Sequence, residues 1–273
     1  MSDVPAAGSA TIEGVRLALG TLTRIPVRPP SRVDAAVAGT AMRCAPLIGA
    51  LLAAIVIVGL EVLRWSLPGT GSPLRSLLLA AICVAALAWI TRGIHLDGLA
   101  DMADALASGA PAERALQIAR KSDIGPFGVM TLVLVLLIQA CGLAVAVDAG
   151  RGWPVLAVAV VGSRLTLVWA CTPLLPAARA DGLGAMVAGT TRMRDAVLLT
   201  LMILAAAILL GWCLIGGLAG AALLPTGVLA GLLAGAGVLR AARRRLGGIT
   251  GDVLGACVEC SCCAALVSTA LLL

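Results

Sequence analysis

Seven stretches of this chain are too long and too apolar to be ordinary buried strands: Pro46–Leu63, Leu77–Ile90, Pro126–Val147, Pro154–Thr172, Ala196–Ile215, Leu218–Val238 and Val253–Leu273. A helix crossing a bilayer needs about 20 mainly apolar residues. Lipid offers no hydrogen-bond partner to the backbone, so only helices and closed barrels can span it. Barrel strands alternate apolar and polar residues over about 10 positions; these runs are continuous, which selects helices. The sequence therefore predicts an all-α, polytopic integral membrane protein of about seven transmembrane helices. The second span is the shortest and can extend through Ser76 or Thr91. The fifth and sixth are parted only by Gly216-Gly217 and a Gly/Pro-rich stretch. Thr11–Ile25 alternates loosely, as an N-terminal interfacial helix does. The organisation expected is one membrane-embedded domain over residues 1–273, with a cytoplasmic or interfacial segment 1–44 and a helical membrane domain 46–273.

Composition agrees: 60% of residues are hydrophobic and 12% charged, against about 25% charged in soluble chains. The net charge of +6 resembles a nucleic-acid signal until the basic residues are placed. With an N-terminus inside, sixteen fall in cytoplasmic segments, three (Arg64, Arg75 and Arg151) fall outside, and Arg164 lies within a span. That asymmetry is the positive-inside pattern and predicts a cytoplasmic N-terminus. One Phe and no Tyr leave almost no aromatic platform for stacking bases, so nucleic acid is not the expected partner and the lipid bilayer replaces it. The nine cysteines read as small buried hydrophobes. Cys257, Cys260, Cys262 and Cys263 run along one apolar helix, where Cys257 and Cys260 share a face and Cys262 does not, which argues against a thiolate metal site.

The most informative segment follows the second span: Arg92-Gly93-Ile94-His95-Leu96-Asp97-Gly98-Leu99-Ala100-Asp101-Met102-Ala103-Asp104. Asp97, Asp101 and Asp104 recur at i, i+4 and i+7, within about 60° of arc on one helical face. Like charges four apart oppose a helix, and none of the three has a Lys or Arg three or four residues away. A divalent cation is the expected neutraliser, since Mg2+ favours carboxylate oxygen and retains sites for a phosphate. Gly98 leaves room for a phosphate to approach. The plain alternative is a solvated acidic face satisfied by loop arginines. His95, about 160° from that face, is open to three roles: general acid or base, ligand, or an interfacial residue that orients the loop.

Two further segments border spans. Arg120-Lys121-Ser122-Asp123-Ile124-Gly125-Pro126-Phe127-Gly128 has the form of an anion-binding helix start, or of a simple entry capped by Ser122 or Asp123. Gly247-Gly248-Ile249-Thr250-Gly251-Asp252 enters the last span, where Asp252 reads as a cap. Glu259 lies on the same face about 10 Å deeper, and Arg164 is a second ionisable group within a span. Such groups are functional candidates by default. The two are expected to pair with each other, or Arg164 to hold a substrate phosphate.

Taken in order, these segments resemble the cobalamin synthase family, the adenosylcobinamide-GDP ribazoletransferases. The specific element is the His-x-Asp-Gly-x-x-Asp-x-x-Asp run at His95, Asp97, Gly98, Asp101 and Asp104. Thr23-Arg24-Ile25-Pro26-Val27, Pro46-Leu47-Ile48-Gly49, Ile124 to Gly128, Ser163-Arg164 and Thr250-Gly251-Asp252 with Gly255 match in series. One departure is the order Lys121-Ser122-Asp123, where many relatives carry Asp-Ser and then a basic residue. The resemblance implies a bacterial inner-membrane enzyme with a cytoplasmic site. It would join adenosylcobinamide-GDP to α-ribazole or its 5'-phosphate and release GMP, with Mg2+ on Asp97, Asp101 and Asp104. His95 and the three aspartates are the implied catalytic set. Arg24, Lys121, Ser122, Asp123, Gly125, Arg164, Thr250, Asp252 and Glu259 are the implied substrate contacts. The partners implied are the corrinoid and ribazole substrates, with room for a homo-oligomer or other cobalamin-assembly proteins. Two other readings stay open: a CDP-alcohol phosphotransferase of lipid synthesis, and an ion-coupled transporter. Asp101 stands where the former has Ala-Arg after Asp-Gly-x-x, and the latter would want its acids inside spans.

Overall fold

Each apolar run is a helix in the computed structural model, which describes residues 9–66, 72–121 and 123–273. The order is α1 (Ala10–Leu22), α2 (Ala35–Ser66), α3 (Pro73–Ile90), α4 (Ile94–Ala107), α5 (Ala112–Ile118) and α6 (Pro126–Asp148). Then follow α7 (Gly152–Ala170), α8 (Gly182–Val187), α9 (Met193–Gly211), a π turn (Trp212–Gly216), α10 (Gly217–Arg245) and α11 (Gly251–Ala270). Among the described residues the chain forms no strand, only an isolated bridge between Ala177 and Ile249. The fold is all-α, as the sequence predicts.

Six helical stretches are long and apolar enough to cross a membrane, the longest running from Met193 to Arg245. That stretch is two passes. In one straight helix Gly211 and Gly220 would stand about 13 Å apart, yet a Cβ on either would strike the other's backbone. The reversal occurs at Gly216 (φ 98°) and Gly217 (φ 58°), a pair of positive φ values that residues with a Cβ rarely adopt. Seven passes result.

The central helix is α7, buried along most of its length, while α3 and α6 turn most of their surface outward. Packing in lipid gains little from hydrophobicity and much from close approach through small residues. Gly227, Gly231 and Gly235 form such a stripe on α10: Cβ atoms there would stand 2.8 Å from Thr269, 3.0 Å from the Ser261 carbonyl and 2.6 Å from Thr166. These glycines let α10 lie against α11 and α7. The N-terminal helix α1 packs on α2, with Gly14 against Thr40, and buried Glu13 accepts from Arg16 Nη1 (2.9 Å) and the Ser31 amide (2.6 Å).

At 32 residues, α2 is about 48 Å long and outruns a hydrocarbon core of about 30 Å. Its first turns therefore emerge at one end of the bundle. At that end the Arg24 amide reaches the Ile90 carbonyl, the Thr191 amide the Cys171 carbonyl, and the Ile249 amide the Pro176 carbonyl. The α3–α4 junction, the start of α6, the end of α7, the start of α9 and the α10–α11 turn thus meet there. It is also where the sequence puts sixteen of its basic residues.

Candidate active site

The acidic segment begins with a backbone reversal. Arg92 (φ 59°) and Gly93 (φ 67°) are both left-handed, and Arg92 is held there by its guanidinium, which donates to the Gly20 (2.7 Å) and Thr21 (3.1 Å) carbonyls of α1. The reversal starts α4 across the end of the bundle, beside the beginning of α11. Gly98 is the contact: a Cβ there would stand 2.8 Å from the Asp252 carbonyl oxygen and 2.9 Å from its Cα. Gly255 answers from α11, where a Cβ would stand 2.9 Å from the His95 carbonyl. The space at Gly98, expected from sequence to admit a phosphate, is filled by the backbone of Asp252.

That approach brings Asp252 into the field of the α4 carboxylates. Asp101 is pushed up to about 7, first by burial and then by the negative charges of Asp97, Asp252 and Asp104. Asp97 is exposed and lines an open cleft of about 540 Å³ with Arg92, Gly93, Ile94, Ala100, Ile124 and Leu132. Asp252 is not the cap of α11. Thr250 is, accepting from the Val253 amide (3.2 Å) while its hydroxyl donates to Asp252 (3.1 Å).

Asp104 faces elsewhere. One of its oxygens accepts from the Gly125 amide (2.7 Å) and the other from the Gly128 amide (2.9 Å). The amides at this helix start, read from sequence as a phosphate-binding turn, hold the protein's own Asp104 carboxylate. A Cβ at Gly125 or Gly128 would collide with Asp104, so the two glycines are explained by this cap. Of the neighbouring candidates, Lys121 and Asp123 are exposed and their side chains bond to no described residue; Ser122 lies outside the described residues.

His95 is 4% exposed, and neither ring nitrogen has a hydrogen-bond partner among the described residues. It lines a small, mainly apolar cavity of about 30 Å³ with Leu22, Met42, Leu167, Leu183 and Leu254. Burial, and secondarily the positive charge of Arg164, lowers its pKa to about 3, so the imidazole is neutral. Arg24 is exposed and lies over the Trp89 ring at 4.1 Å, a cation–π contact that fastens the segment after α1 to the end of α3.

Deeper in the bundle, Arg164 donates to Ser163 Oγ (2.9 Å) and the Val160 carbonyl (3.5 Å). Glu259 accepts from Gln139 Nε2 (2.9 Å). Both line a cavity of about 20 Å³, and no ion pair joins them among the described residues. The expected direct pair is thus a separated one, across a space of the size that holds a single water.

One residue the sequence reading missed is Arg179, in the loop between α7 and α8. Its Nη2 reaches Asp252 at 3.5 Å, while Nε and Nη1 are buried without partners among the described residues. The neighbouring Asp181 receives Arg120 at 2.5 Å and is held below the usual carboxylate range by that bond. The only signal in the sequence is an arginine among many in a loop. The bridge from Ala177 to Ile249 is what carries the loop to Asp252.

Among the described residues no three His, Cys, Asp or Glu side chains converge as a ready metal cage. Mg2+ commonly uses one or two carboxylates and completes its shell with water and substrate phosphate. Asp97 and Asp101, with Asp252 opposite, are hard-oxygen donors that fit that mode.

A family model described as cobalamin-5-phosphate synthase matches residues 14–270. The chain belongs to that family. It is 41% identical over 263 residues to an adenosylcobinamide-GDP ribazoletransferase of Frankia casuarinae, covering 94% of each chain. A relative of the same name from Nocardioides is 41% identical over 260 residues, covering 93% of this chain and 97% of its own. One from Pseudomonas aeruginosa PAO1 is 36% identical over 263 residues, covering 95% and 98%. No solved structure matches. Membership in the cobalamin-5-phosphate synthase family makes the chain a transferase of cobalamin synthesis and sets aside the phospholipid and transporter readings.

Proposed function

We propose that the cleft beside α4 carries out the reaction for which the relatives are named, the joining of adenosylcobinamide-GDP to α-ribazole or its 5'-phosphate. The observation that carries this reading is the open cleft lined by Asp97 and Arg92, with Asp101 in the electrostatic field of Asp97 and Asp252 and Arg179 reaching Asp252. A hydroxyl oxygen of α-ribazole attacks the phosphorus attached to cobinamide. The bond from that phosphorus to the bridging oxygen breaks, and GMP leaves with the electron pair. The hydroxyl proton passes to a carboxylate oxygen of the cluster rather than to His95, which is buried among apolar side chains.

Asp97 and Asp101, with Asp252 opposite, are the residues that would hold Mg2+, with water and substrate phosphate completing its shell, and the ion would supply positive charge to the diphosphate. The unpartnered guanidinium nitrogens of Arg179 bind the remaining oxygens as planar donors suited to phosphate. Arg92 closes the other side of the cleft. Asp104 shapes the site by fixing the start of α6. The arginine-rich end faces the cytoplasm, following the basic-residue asymmetry, and the membrane is the bacterial cell membrane.

The test is GMP release from adenosylcobinamide-GDP and α-ribazole by the full chain in proteoliposomes. Wild type should turn over only with Mg2+ present. Asp97→Asn and Asp101→Asn should each lose about 10²-fold in rate, as when a preorganised transition-state contact is removed. Unchanged turnover and Mg2+ dependence in both would reject the assignment.

A further inference from the structure

A wide groove lies away from the carboxylates, on the outer side of α7 and α10. It encloses about 810 Å³ between Trp169, Leu174, Leu229, Leu232, Leu233 and Ala236, and ends at Arg240, Arg243 and Arg244. The order along α10 is the notable point. From Leu229 to Leu239 the rise is about 15 Å, the depth of one leaflet of a hydrocarbon core about 30 Å thick. The arginines begin where that depth ends. All three are exposed, and none bonds to any described residue. The Trp169 indole nitrogen already donates to Thr200 (2.9 Å), so it needs no partner from an occupant of the groove.

We propose that this groove seats one anionic glycerophospholipid, its acyl chain along α10 and its phosphate among Arg240, Arg243 and Arg244. Charge complementarity selects this occupant. A second transmembrane helix would meet three arginines with no carboxylate to pair them, and a zwitterionic lipid would bring its own cation to the same place. An anionic headgroup neutralises them at the depth where a bilayer presents it. Such contacts near an anionic lipid surface are worth about fivefold in affinity per arginine. The seat also joins the loop after α7, through Leu174, to the last turns of α10. That loop continues to Arg179 and α10 continues to the start of α11, so the lipid braces both approaches to Asp252.

The test uses the full chain in nanodiscs of phosphatidylcholine with or without phosphatidylglycerol, extracted gently and weighed by native mass spectrometry. Wild type should retain one phosphatidylglycerol and melt higher in the discs that contain it. Arg240→Gln, Arg243→Gln and Arg244→Gln combined should abolish retention, whereas Arg194→Gln, an exposed arginine elsewhere, should not. Ala236→Trp fills the groove and leaves every charge in place, and should also abolish it. Retention undiminished by Ala236→Trp would mean diffuse attraction to an anionic surface and would overturn the proposal. A protein dimer in place of the lipid adduct, lost on Ala236→Trp, would overturn it as well.

Discussion

Replacing Gly98 by alanine adds one methyl group at the place where α4 touches α11. The new Cβ would stand 2.8 Å from the Asp252 carbonyl oxygen, where ordinary contact begins at 3.4 Å. The helices must therefore part by at least the difference, about 0.6 Å, and the obstacle is backbone rather than a rotatable side chain. Overpacking of this kind typically costs about 1–3 kcal/mol. The separation also moves Asp252 from Asp97 and Asp101, and misplacement by about 1 Å can lower an enzymatic rate about 10²-fold. Gly98→Ala should therefore lose between about tenfold and 10²-fold in GMP release while still inserting. Gly162→Ala is the control, since a Cβ there meets its nearest atom at an ordinary 3.6 Å; it should keep its rate. Both variants would be assayed in proteoliposomes, with thermal unfolding measured in parallel. Full activity in Gly98→Ala would show that the spacing of these two helices does not set the rate, and the carboxylate gathering would lose its catalytic meaning.

Asp104→Ala should cost about 1 kcal/mol by uncapping α6, a drop of a few degrees in thermal unfolding, whereas Asp104→Asn should keep most of the stability and more activity than Asp97→Asn. If Asp104→Asn is as inactive as Asp97→Asn at unchanged stability, Asp104 acts on substrate directly. Arg179→Gln should weaken substrate use more than Arg179→Lys, raising KM most; equal loss in both would argue against a planar, two-pronged phosphate contact. Arg164→Ala with Glu259→Gln should be more stable than the sum of the single changes, by about 0.5–3 kcal/mol, since either alone leaves a buried charge facing the shared cavity. Simple additivity in thermal unfolding would show that the two charges do not sense each other.

The acidic segment shows where sequence reading reaches its limit. Periodicity placed Asp97, Asp101 and Asp104 on one face, and all three do lie on one helix, α4. Their partners lie 21 to 24 residues on for Asp104 and far along the chain for Asp97 and Asp101, in Asp252 of α11. A helical wheel has no access to either. Arg179 was passed over for the same reason: an isolated bridge to Ile249, rather than any local pattern, delivers it to the site. Gly98, Gly125 and Gly128 were visible as glycines, but whether the freed space admits substrate or protein is a property of the neighbour.

What the sequence determined by itself is the class of structure and its polarity. Long apolar runs leave helices as the way to satisfy the backbone in lipid. The unequal arginines give the ends of those helices different characters. Even the reversal that parts the fifth and sixth passes is marked by its glycine pair. These are local properties, set by each segment against its solvent, so they can be read one segment at a time. The tertiary structure decided that Asp104 caps α6, that Asp252 stands near Asp101, which glycine is a contact, and that Glu259 and Arg164 stand apart across a cavity. Those outcomes depend on which helices approach within a van der Waals radius, and that is settled by packing among segments distant in the chain.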